Sequence, residues 1–136
     1  QHGYGKYIIG TDFSVFEPEL EPMKERFPGD KRYRAKEKGV IGDKEGTIEL
    51  QFYKKKLWLV QIDFPSADED PIIQALIDSF GNQYYNSFDP IAMVGSNEWK
   101  GAEIELYMSY DSERGGVKVS FKGVKEGPQP VKNIDN

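Results

Sequence analysis

Cysteine is absent from the 136 residues, and histidine occurs once, as His2. Without thiols the chain has no disulfides, no thiol nucleophile and no cysteine–zinc site. A single histidine beside a terminus is a poor base for a Ser-His-Asp arrangement, which needs a rigidly held imidazole. No apolar run is long enough to cross a bilayer as a helix. A basic excess is missing too: 18 Lys and Arg stand against 23 Asp and Glu, a net charge of −5. That balance argues against nucleic acid as the main partner, because phosphate binding needs a basic footprint. It also argues against adsorption to anionic lipid. The densest basic run, Lys54-Lys55-Lys56, reads as a solvated hairpin tip. Gly3-Tyr4-Gly5 lacks the spacing of a dinucleotide-binding turn. No cofactor motif is present, and none is expected to be needed.

What the chain does have is aromatic residues, 13% of the total, enough for a core in one domain of this length. Phe16, Leu20, Met23 and Phe27 recur at helical spacing. They predict a helix over 14–27 with Ser14 as N-cap, kinked by Pro18 and Pro22. Three strands are predicted next, over 31–41, 47–53 and 57–64, the last two by strict alternation. Trp58, Val60, Ile62 and Phe64 are expected on the covered face. A second helix starts at Asp70-Pro71, carries Ile72, Ile73, Leu76, Ile77 and Phe80 on one face, and ends at Gly81. Residues 82–96 read as irregular. Three more strands are predicted at 97–100, 102–110 and 116–122, and a flexible tail from 123 to 136.

Both halves thus read as a helix followed by three strands, about 8–64 and 65–122. The tripeptide Ile48-Glu49-Leu50 recurs as Ile104-Glu105-Leu106. The expected fold is α+β: one domain of two helix–three-strand units, forming an antiparallel sheet with helices on one face. Ile8-Ile9-Gly10-Thr11 leading into a helix, the hairpin from Leu50 to Val60 with its lysine tip, and Phe80-Gly81-Asn82 ahead of Trp99 carry a family resemblance. In architecture the chain resembles the β-lactamase-inhibitor-protein class and the small SmpA/OmlA (BamE) domains of bacterial envelope proteins. The resemblance implies an exported, non-catalytic domain that binds a protein through its sheet face. The start at Gln1 fits a leader already removed, hence a periplasmic or cell-surface location, and is compatible with a lipid anchor just upstream.

The face opposite the covered one is the candidate site. Leu57, Leu59 and Gln61 are expected on it, joined by Tyr53 and Tyr107, an aromatic and aliphatic patch suited to a protein partner. Cover by the N-terminal arm, by residues 82–96 or by the tail is the plain alternative. Two other functions are weighed beside it. Glu49, Asp63, Glu103 and Glu105 on strands, or Asp68-Glu69-Asp70 in a loop, would serve a small hydrolase or a metal-dependent enzyme if they converged. Solvated strand acids and a helix N-terminus favoured by acids explain the same residues. Trp99, Tyr84 and Tyr85 would serve a small-ligand module if they lined a cleft.

Overall fold

The computed structural model describes residues 2–128. Strand makes up 50% and helix 15% of the described residues. A short hairpin comes first, β1 (Gly3–Tyr4) with β2 (Tyr7–Ile8). One helical turn, α1 (Phe13–Phe16), runs through a 3-10 turn at Glu17–Glu19 into β3 (Leu20–Pro22). Strands β4 (Arg32–Ile41), β5 (Lys44–Tyr53) and β6 (Lys56–Phe64) follow as a meander. Helix α2 (Glu69–Phe80) leads to a second meander of β7 (Tyr85–Asp89), β8 (Val94–Lys100), β9 (Ile104–Asp111) and β10 (Val117–Gly123). All eight strands from β3 onward form one antiparallel sheet in the order β3-β4-β5-β6-β10-β9-β8-β7. The meanders therefore meet at β6 and β10 in the middle.

This overturns the expected pair of helix–three-strand units. The molecule is mostly sheet, with two short helices. The helix expected over 14–27 is only the turn Phe13–Phe16, capped by Asp12, whose Oδ1 accepts from the Ser14 N–H at 3.0 Å. Pro18 is tolerated early in the 3-10 turn. Pro22 cannot donate to a continuing helix, and the chain extends instead, pairing Leu20–Pro22 with Tyr33–Ala35. The stretch expected to be irregular, 82–96, contains β7 and the start of β8. The tail does not trail off at 123: the Val124 N–H donates to the Glu103 carbonyl, and Gly127 lies against the Trp58 indole, where a Cβ would stand 2.3 Å from the ring. Residues 129–136 of that expected tail lie outside the described residues.

One face of the sheet is covered. Ile48, Leu50, Val60, Ile62, Val119 and Met108 are fully buried there. Helix α2 sets Ile72 and Leu76 into this core, and Gly81 ends it with φ 87°. The N-terminal segment covers the rest. Tyr4 meets Phe121, Tyr7 packs on Phe16, and Phe13 stands edge-on to Phe52 with ring centroids 5.1 Å apart. Its backbone also joins the start of β6: Gly10 donates to the Leu57 carbonyl at 2.7 Å, and the Leu57 N–H to Thr11 at 2.9 Å. Each large apolar side chain buried this way contributes about 1.5–3 kcal/mol.

The β5–β6 hairpin holds one irregularity that matters for the candidate site. Leu59 pairs with Gln51, but Phe52 pairs with Leu57, so Trp58 is an extra residue in β6. A bulge of this kind shifts the alternation by one position. Leu57 is thereby turned onto the covered face beside Phe52, and is fully buried.

Candidate functional site

The opposite face carries no described helix or hairpin: α2 and the N-terminal segment both lie on the covered side. Side chains here are polar because water, not a core, is their neighbour. Cross-strand pairing places Arg34, Glu49, Gln61, Ser120, Tyr107 and Glu98 in one row from β4 to β8. A second row, nearer the Lys54-Lys55 turn, sets Gln51, Leu59, Lys122 and Glu105 side by side. On the other flank Asp63 faces Lys118.

The expected site residues divide on this geometry. Leu59, Gln61 and Tyr107 stand on the open face as expected. Gln61 and Tyr107 flank Ser120, whose hydroxyl lies 3.4 Å from Gln61 Oε1. Tyr107 is 43% exposed. Tyr53 is exposed at the hairpin end, with Lys54 Nζ 5.4 Å from its ring centroid. Leu57 is not on this face at all, for the reason given by the bulge. Trp58, expected on the covered face with Val60, is the displaced residue.

The N-terminal arm does not cover the open face, and β7 lies at the sheet's edge. What the face adds beyond the expected patch is charge of both signs. Six of these charges are Arg34 on β4, Lys118 and Lys122 on β10, Asp63 on β6, Glu105 on β9 and Glu98 on β8, while β5 adds Glu49 and β8 also carries Lys100, opposite Glu105. Lys122 is opposite Glu105 and Lys118 opposite Asp63, yet none of these six side chains forms an ion pair within 4.0 Å among the described residues. Alternation predicted the faces of β5, β9 and β10, and of β6 beyond its bulge. The charge pattern depends on which strands are neighbours, and β10 beside β6 is not visible in local pattern.

No family model, curated protein or solved structure matches this chain. The open face is therefore read from its own chemistry.

The acids proposed for catalysis do not converge. Glu49 is held by Arg32 at 3.4 Å and by the Gln51 amide at 2.7 Å. Glu103 is away at the β8–β9 turn, paired with His2 Nδ1 at 2.9 Å. Asp68, Glu69 and Asp70 do gather, with carboxylate oxygens within 4.8 Å of one another. Partial burial, then Asp68 and Asp70, push the Glu69 carboxyl above its ordinary pKa. Asp68 stands at the N-cap of α2 without a side-chain capping bond, and the three acids occupy the positive end of the helix dipole.

The aromatic trio does not form a stacking cleft. Tyr84 stacks on Trp99 at 4.7 Å, and the Trp99 indole N–H donates to the Gly81 carbonyl at 2.8 Å. Tyr85, 69% exposed, points from the edge strand to the other face. A shallow cleft of about 420 Å³ does open beside Trp99, lined by Phe80, Gln83, Ile104 and the His2–Glu103 pair. No helix among the described residues is long and apolar enough to cross a membrane.

Proposed function

We propose that the domain is a non-catalytic binding module, and that its open sheet face receives a protein partner. The observation that carries this reading is the broad face itself. No described helix or strand covers it, and Arg34, Asp63, Glu98, Glu105, Lys118 and Lys122 on it form no ion pair among the described residues, while Leu59 and Tyr107 stand among them. A fixed pattern of charges of both signs specifies register and orientation of a folded partner, and an aromatic with an aliphatic neighbour supplies the contact that excludes water. A partner with the complementary charge pattern and an apolar ridge fits this chemistry. The exported setting belongs to the same proposal and rests on the resemblance to inhibitor and envelope domains.

The test places a photo-crosslinking residue at Gln61, with a control at exposed Val15 outside the face, in the cells that make the protein. Position 61 is expected to capture one discrete partner and position 15 not. Leu59→Glu with Tyr107→Glu should abolish that capture while leaving the urea midpoint within about 1 kcal/mol of the parent, because Tyr107 is exposed and Leu59, half-buried, lies outside the buried core. Capture that persists in the double variant would sink the proposal.

A further inference from the structure

The two edges of the main sheet are finished differently. On one side β3 is three residues long, ends in Pro22, and follows Glu17-Pro18-Glu19. Short length, proline and charge are the usual protections of an edge. On the other side β7 has five residues, Tyr85-Asn86-Ser87-Phe88-Asp89, all exposed, with neither proline nor lysine. Among the described residues its only strand partner is β8. Alternate residues of such a strand turn their N–H and C=O groups outward, ready for another strand. Apolar exposure gathers at the same place. Four of the ten large hydrophobic residues exposed on the described chain, Tyr85, Phe88, Ile91 and Val94, lie within this one hairpin.

We propose that β7 is a self-association edge, where two copies pair antiparallel through Tyr85–Asp89 about a two-fold axis at Ser87. The inference goes beyond the partner reading and does not depend on it. The occupant is a second copy because the strand complements itself. Centred on Ser87, Asn86 meets Phe88 of the second copy and Tyr85 meets its Asp89, so no like charges are opposed. The centre serves whichever set of alternate residues points outward, since both sets map onto themselves. Charge agrees as well. Lys100 Nζ lies 5.4 Å from the Tyr85 ring, and the pairing brings Asp89 of the second copy beside that ring. Asp89 uses Oδ1 to hold its own turn, accepting from the Ile91 and Ala92 N–H groups, which leaves Oδ2 for the lysine. A two-fold interface makes this contact twice.

The absence of cysteine makes the test clean, because Ser87→Cys introduces the only thiol in the chain. The unmodified protein is expected to be a dimer by sedimentation equilibrium. Ser87→Lys, which opposes two charges on the axis, should be monomeric with an unchanged far-UV spectrum. Under mild oxidation Ser87→Cys should form a linked dimer faster than Val15→Cys, exposed away from the edge. A parent chain that stays monomeric at its solubility limit overturns the proposal. So does a dimer that survives Ser87→Lys with its fold intact, or a Ser87→Cys that links no faster than the control. If Ser87→Lys fails to fold, the cysteine pair still decides.

Discussion

Asp30 shows how a single carboxylate can tie an irregular segment to the sheet. It is 6% exposed, and both of its oxygens are taken. Arg26 reaches them at 2.8 and 3.0 Å and Arg32 at 2.9 Å, while the Arg26 backbone N–H adds a fourth bond. The Arg26 side chain above all, then its backbone N–H and Arg32, holds the carboxyl well below the usual carboxylate range. A depressed folded pKa gives stability that is present above the unfolded pKa and is lost as pH falls through the folded one. Asp30→Asn should therefore lower the urea midpoint at neutral pH. The gap from the parent should close in strong acid, where the parent carboxyl is protonated too. A gap that is constant across that range would mean the network does not act through its charge.

At the scale of elements, the bulge at Trp58 separates two leucines that plain alternation treats alike. Leu57 is fully buried, whereas Leu59 faces the open side. Leu57→Ala should cost about 2–5 kcal/mol, as truncation in a packed core does. Leu59→Ala should cost about 1 kcal/mol or less. Equal losses in a denaturant series would contradict the bulge. The same element explains what was legible in advance. Ile48, Leu50, Val60 and Ile62 alternate across a half-buried pair, so their face was readable, and with it that of Gln61. Leu57 was misplaced because a one-residue slip leaves no mark in composition. The apolar face of α2 and its end at Gly81 were legible for a similar reason: one side is buried and one is wet. Strand β7 was missed because none of its five residues is buried, and a strand without a buried face has no period to read. The helix expected over 14–27 failed because Phe16 and Leu20 satisfy helical spacing, yet a turn and an edge strand deliver both to the same core.

The whole molecule has one core. Among the described residues nineteen buried apolar side chains form a single cluster that runs through both meanders, and the β6–β10 ladder joins them at the centre. Trp58 belongs to the first meander and Trp99 to the second, so Trp58→Phe and Trp99→Phe each leave a fluorescent reporter in the opposite half. Both variants should show fluorescence and far-UV transitions that coincide. Separated midpoints would mean that the halves unfold independently. Strand order also has a consequence for synthesis. β10 is the last described strand to emerge, and its place is the middle of the sheet, between β6 and β9. Until Val117–Gly123 leaves the ribosome, β6 has no neighbour along its Leu59–Phe64 side and β9 has none opposite β8. Between the emergence of Asp111 and that of Val117 the nascent chain thus holds two sticky half-sheets that cannot yet join. Final closure waits on a long-range pairing, which is slow, and a messenger cut short before the codon for Val117 would release a chain primed to aggregate.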